Sequence, residues 1–197
     1  MKTSKKILSI LLAVMMILSI IPVTASAVEP TSGTCGDNLT WEFDSSTYTL
    51  TISGTGAMTN YYYNDPWGSC GDVIKTVVIN DGVTTIGDFA FYYCDSLTSI
   101  TIPDSVTIIG NSAFSCCKNL TNVTIPDSVT SIGADAFFCC DLLTSVEIGK
   151  NVTSIGESAF YFCKSLKSVT IPDSVTTIGY GAFAYCDSII SVEIGKN

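Results

Sequence analysis

Apolar residues recur along this chain with a period of 23. Ile100, Val123, Val146, Val169 and Val192 form one row, and Ile102, Ile125, Ile148, Ile171 and Ile194 a second. One polar residue separates the two rows in every copy: Thr101, Thr124, Glu147, Thr170 or Glu193. Apolar–polar–apolar alternation with β-branched residues predicts a short strand whose polar position faces outward. Pro103, Pro126 and Pro172 end that strand, and Asp104-Ser105 and its equivalents turn the chain. A third row, Ile86, Ile109, Ile132, Ile155 and Ile178, marks a second, weaker extended stretch. Gly110 and its equivalents permit a sharp bend. The Ala113-Phe114 pair that follows predicts one helical or 3-10 turn filling the interior.

Three residue types hold the same period without insertion. Glycine stands at 87, 110, 133, 156 and 179. Phenylalanine stands at Phe91, Phe114, Phe137, Phe160 and Phe183, and cysteine at Cys94, Cys117, Cys140, Cys163 and Cys186. Such regularity means stacked turns of one coil, with equivalent side chains on top of one another. The Phe and Cys rows are therefore read as an inward structural ladder. Parallel sheets follow, in which each copy pairs with the copies above and below. One copy alone cannot bury its own apolar face.

Residues 28–72 do not repeat. Leu39 to Phe43 and Tyr48 to Ile52 each alternate, with Asp44-Ser45-Ser46-Thr47 between them. This predicts a β-hairpin. An aromatic loop follows, with Tyr61, Tyr62, Tyr63 and Trp67. A stacked array exposes its apolar cross-section at each end, and 28–72 stands where an N-terminal cap is needed. The repeat array is expected over 73–197 in about five copies, the last incomplete. Ser191 to Asn197 align with Ser145 to Asn151, so the chain is expected to be a piece of a longer protein.

Residues 1–27 read as a signal peptide. Lys2, Lys5 and Lys6 precede an apolar run to Ile21, and Ala25-Ser26-Ala27 is a cleavage signature. The run is short for a membrane span, so none is expected after cleavage. The formal charge of the whole chain is −9, with no histidine. Beyond the leader, six lysines face 18 acids, for a charge of −12. No basic face is available, which excludes nucleic acid as a partner.

The absence of histidine also weighs against catalysis. A cysteine nucleophile wants a neighbouring base, and no phosphate-loop or zinc spacing occurs. The expectation is no enzyme, no catalytic residue, no cofactor and no metal. Asp104, Asp127 and Asp173 follow prolines at a turn, where aspartate normally bonds its own backbone. A calcium ladder along that row is the competing reading, which Lys150-Asn151 interrupt.

Four cysteines lie off the main row. Cys35 and Cys70 flank the cap and are placed to staple it. Cys116 and Cys139 are one period apart, and strands about 4.8 Å apart lie within reach of a disulfide. Two free thiols are the other reading of that pair.

The spacing Leu97-x-x-Ile100-x-Ile102 resembles the leucine-rich repeat. The longer strings Leu97 to Cys117, Leu120 to Cys140 and Leu166 to Cys186 resemble the BspA-type (Treponema pallidum-like) subclass almost position for position. Leu143 to Cys163 departs at Gly149-Lys150-Asn151. The stretch from Cys35 to Trp67 is similar to the N-terminal region of such proteins in Gram-positive anaerobes. The resemblance implies a leucine-rich-repeat solenoid, β-rich, with a 23-residue repeat and an N-terminal β-hairpin cap. It further implies a secreted or cell-surface bacterial protein that adheres to a host or bacterial surface protein or glycan. A spacer presenting another module is the alternative, and a monomer is expected. The matching residues are the core, so candidate ligand-facing residues are sought elsewhere. They are the Thr101, Thr124, Glu147, Thr170 and Glu193 row and the aromatic loop Tyr61, Tyr62, Tyr63 and Trp67, which offers rings for stacking on a sugar or a partner.

Overall fold

The computed structural model describes residues 31–62 and 64–196. The expected leader at 1–27, Tyr63 and the Cys70 side chain lie outside this description. Strands β1 (Ser32–Gly36), β2 (Leu39–Asp44) and β3 (Thr49–Gly54) form an antiparallel meander. In β2 the predicted alternation is realised, with Leu39, Trp41 and Phe43 inward and Thr40, Glu42 and Asp44 outward. The 44–47 turn closes on Asp44, whose carboxylate accepts hydrogen bonds from Ser46 and Thr47. The meander then joins the array directly. Strand β3 pairs in parallel with β5 (Thr76–Ile79), and β5 pairs with β7 (Ser99–Thr101). The short β4 (Gly56–Ala57) likewise pairs with β6 (Val83–Ile86).

Each later copy supplies two strands. The first of each pair builds a parallel sheet of β9 (Asn122–Thr124), β11 (Ser145–Glu147), β13 (Ser168–Ile171) and β15 (Ser191–Ile194). The second builds a six-stranded sheet from β4 and β6 through β8 (Ile108–Ile109), β10 (Ser131–Ile132) and β12 (Ser154–Ile155) to β14 (Thr177–Ile178). From β6 to β14 the register is one full period, with Ile86, Ile109, Ile132, Ile155 and Ile178 directly opposed.

The third side of the coil is not the expected helical turn. Among the described residues the one helix is α1 (Gly68–Gly71), in the cap. In the array, Phe89, Ser112, Asp135 and Ser158 have φ between 52° and 57°. Tyr93, Cys116, Cys139, Phe162 and Tyr185 have φ between 55° and 62°. Left-handed backbone costs a non-glycine residue about 1–2 kcal/mol. Here it turns alternate amides toward the next copy. Phe89, Phe91 and Tyr93 donate to the carbonyls of Asn111, Ala113 and Ser115, and the pattern repeats down the stack. Each such bond returns about 0.5–1.5 kcal/mol, and the buried amides would otherwise be orphaned.

The interior follows the rows. Phe91, Phe114, Phe137 and Phe160 are wholly buried and stack ring on ring, with centroids 5.1–5.3 Å apart. The cysteines are more than small apolar fillers. Cys117, Cys140, Cys163 and Cys186 each lie 3.1–3.3 Å from the carbonyl of Phe91, Phe114, Phe137 or Phe160, which accepts the S–H. Alanine would fill much the same space and leave that carbonyl without this donor.

The row glycines serve close approach rather than a bend. A Cβ at Gly87 would sit 2.1 Å from the Thr59 carbonyl oxygen, and one at Gly156 2.4 Å from the Ala134 nitrogen. No other residue lets adjacent copies come that close.

Candidate functional site

The outward strand row is present and exposed. Thr101, Thr124, Glu147, Thr170 and Glu193 all face solvent. Thr124 lies opposite Glu147 and donates to its carboxylate at 3.1 Å, and Thr170 lies opposite Glu193. The row does not run along one continuous sheet, as the sequence suggests. Strand β7, carrying Thr101, ends the sheet that begins in the cap, and β9, carrying Thr124, starts the next.

A groove of about 770 Å³ crosses that seam. Ile100, Ile102, Ile125 and Ile148 line it, three of them half-buried and Ile125 buried. Thr101, Thr124, Glu147, Asp104 and Asp127 rim it. A shallower hollow of about 390 Å³ continues along the same side, past Asn80, Asp81 and Asp104. The whole face therefore presents apolar ground under hydroxyls and carboxylates.

Two of the turn aspartates reach beyond the local backbone that the proline context predicts. Asp127 accepts the Lys150 amide at 2.9 Å, and Asp173 accepts the Lys196 amide at 2.9 Å, each in the next copy. The Lys150 ammonium also pairs with Asp127 and holds its carboxyl below the usual carboxylate range. A second chain of the same kind runs from Asn60 to the Asp88 amide, from Asp88 to the Asn111 amide and from Asn111 to the Ala134 amide. These oxygens are occupied in stitching copies together. No cluster of three or more metal-ligating side chains occurs among the described residues.

The aromatic loop divides. Trp67 is wholly buried and Tyr61 is 7% exposed, so neither offers a ring to a ligand. The loop packs them over the end of the Phe stack, where apolar cover is worth more than display. Tyr62 is 75% exposed and remains available.

The thiols are equally committed. Cys35 is a buried free thiol, and the Cys70 side chain that could staple it lies outside the described residues. Burial pushes its pKa up to about 11. Cys116 and Cys139 are also free. Burial raises the Cys139 thiol first, and the neighbouring Cys116 raises it further. Burial likewise drives Cys117 and Cys140 far above the thiolate range. A thiol held protonated is a poor nucleophile.

Charge pairing is the feature that sequence reading missed. Lys118 and Lys164 sit in repeat register with Asp95 and Asp141 and pair with them at 3.1 and 3.2 Å. The signal was the alternation Asp95, Lys118, Asp141, Lys164, Asp187 down one row.

The pattern described as "BspA type Leucine rich repeat region" matches residues 69–197 in six copies, one more than the sequence period suggested. The chain belongs to this family. No curated protein matches it. Among solved structures it is similar to the Treponema pallidum leucine-rich-repeat protein, at 30% identity and TM-score 0.59, over 77% of this chain and 66% of that one. It is also similar to a leucine-rich cell surface protein of Faecalibacterium prausnitzii, at 27% identity and TM-score 0.58, over 84% of this chain and 55% of that one. The pneumococcal vaccine antigen PcpA shares the fold at 17% identity and TM-score 0.56, over 81% of this chain and 49% of that one. This BspA-type chain thus spans about half to two-thirds of the length of these relatives. No helix among its described residues is long and apolar enough to cross a membrane.

Proposed function

We propose that this BspA-type chain is a non-catalytic, secreted or cell-surface binding module. Its groove at the β7–β9 seam takes an extended segment of a partner protein that presents basic side chains. The groove itself carries the reading: apolar ground set between Asp104 and Glu147 fits an extended chain with alternating apolar and cationic residues. The chain's net charge of −9 favours the same partner and speeds its approach. The similarity to a cell surface protein of Faecalibacterium prausnitzii supports the location. The absence of histidine and the protonated thiols support a module without catalysis.

The test is an immobilised peptide array, scored for binding of the purified chain and of the double variant Asp104→Lys/Glu147→Lys. The expected hits are rich in Lys and Arg, weaken at about 1 M salt where the Debye length is about 3 Å, and are lost in the double variant. Hits without basic bias, or indifferent to the charge reversal, would sink the proposal.

A further inference from the structure

The third side of the coil carries a second ladder of rings, and it misses a rung. The repeat position occupied by Tyr92, Phe138 and Tyr161 holds Ser115 in the copy between the first two. Where adjacent copies both carry rings the rings stack: Phe138 lies on Tyr161 at 5.4 Å with 2° between planes. On the other side of the gap, Phe89, Tyr92 and Tyr93 form a cluster of edge contacts, 4.5–5.6 Å apart. Between the two groups opens a slot of about 300 Å³, walled by Phe89, Tyr92 and Phe138 with Ser112, Ser115 and Asp135 as its polar lining.

The size of the gap follows from the fold. Two repeats separate Tyr92 from Phe138, which at about 4.8 Å per stacked strand is about 10 Å. One flat ring inserted midway would lie about 5 Å from each wall, the spacing the ladder itself uses. The floor is polar. Ser112 is 8% exposed and makes no side-chain hydrogen bond among the described residues. Ser115 is 3% exposed, and its hydroxyl reaches only the Cys116 sulfur, at 3.8 Å, a weak partner. Asp135 is half-buried beside them.

We infer that this slot binds one pyranose ring of a neutral glycan, with its C–H faces between Tyr92 and Phe138 and its hydroxyl edge on Ser112, Ser115 and Asp135. A purely aromatic guest would bury the serine hydroxyls without partners, at a cost of about 1–3 kcal/mol each. A sugar ring is apolar on its faces and hydroxylated on its edge, so it matches walls and floor together. Burial, with the nearby Glu157, raises the Asp135 carboxyl above its ordinary range. That environment suits a group that exchanges hydrogen bonds with neutral hydroxyls.

The experiment is saturation-transfer NMR and calorimetry of the full chain with cellohexaose, xylohexaose, mannohexaose and chitohexaose. At least one should bind with a Kd at or below about 1 mM, as befits a single-ring site. Tyr92→Ala should weaken it about tenfold. Ser115→Phe supplies the missing rung, and it should abolish binding while leaving the melting temperature unchanged or higher. Should Ser115→Phe fail to fold, Tyr92→Ala at the half-exposed wall carries the decision. No saturable binding of any of the four up to about 10 mM, or binding indifferent to Tyr92→Ala, would overturn the inference. The groove variant Asp104→Lys/Glu147→Lys should leave sugar binding unchanged, so failure here and failure of the peptide-binding reading are separable.

Discussion

The first and last described copies treat the same side chains differently. At the first copy Trp67 lies flat on Phe91, 5.3 Å away and 15° from parallel, and its indole N–H donates to the Ala90 carbonyl at 2.8 Å. Trp41 and Tyr61 meet it edge-on. The Phe stack thus ends in an aromatic cluster that excludes water. At the last copy Phe183 stacks on Phe160 at 5.1 Å, but Phe183 itself is half-buried. Ile178, Val192 and Ile194 are 46%, 51% and 71% exposed, although their equivalents Ile155, Val169 and Ile171 are buried. Residue type is the same in each row; the neighbour decides the burial. That is the behaviour of a one-dimensional array whose stability sits in the interfaces between copies.

The sharpest way to break this comparison is to remove one ring at each end. Trp67→Ala should cost about 3–5 kcal/mol, the usual range for a buried aromatic, because it opens the stack and orphans the Ala90 carbonyl. Phe183→Ala removes a ring with one stacking neighbour and should cost about 1–2 kcal/mol. Urea unfolding of both variants gives the two numbers. Equal losses would show that the last copy is as well supported as the first.

A smaller effect should appear in the cysteine row. Cys94, Cys117, Cys140 and Cys163 are buried, whereas Cys186 is half-buried. The sequence alone predicts five equally hidden thiols. Alkylation under native conditions, read by mass spectrometry, should label Cys186 about tenfold or more faster than Cys140, since accessible thiols react first. Cys139, off the row and half-buried, should also precede Cys140. Uniform labelling of the whole row would mean that the array opens as one unit.

Much of this was legible in the residues, for a physical reason. A 23-residue period forces equivalent side chains into equivalent environments, so the strands, the outward Thr/Glu row and the buried Phe and Cys rows could be read from spacing alone. What spacing could not carry was geometry across copies. Gly110 looks like a bend, yet what it permits is contact with the Asp88 backbone. Ala113-Phe114 looks like a helical turn. The left-handed Ser112 and Cys116 instead send the amides sideways into the next copy. The Pro-Asp turn suggests a local bond, but Asp127 reaches a full repeat ahead. Local propensity describes one copy, and these features exist only between two. The candidate sites divide in the same way. The seam between β7 and β9 and the missing rung at Ser115 are departures from periodicity. A consensus reading averages such departures away, although the rung was visible in the row Tyr92, Ser115, Phe138, Tyr161, Ala184.

The smallest expected effect concerns pH, and it sets the cap against the array. Asp65 lies in the capping loop two residues before Trp67. Burial raises its carboxyl above the ordinary value, outweighing the backbone N–H groups of Asp65 and Trp67 that favour the charged form. A carboxyl raised on folding contributes stability that is full below its unfolded pKa and lost as pH rises through the folded one. Asp127 runs the other way. The Lys150 hydrogen bonds lower it, so its contribution is present above the unfolded pKa and lost as pH falls through the folded one. The cap should therefore gain in acid while the Asp127–Lys150 contact weakens. Asp65→Asn keeps an oxygen for the Trp67 amide and removes the titration. It should raise the melting temperature at about pH 7 and converge on the parent near about pH 3, below the ordinary carboxylate range. Asp127→Asn should do the reverse, lowering it at pH 7 and converging in acid. Melting curves of the parent and both variants across that range decide it. If both variants shift in the same direction at pH 7, the cap and the array do not differ in the way their burial implies.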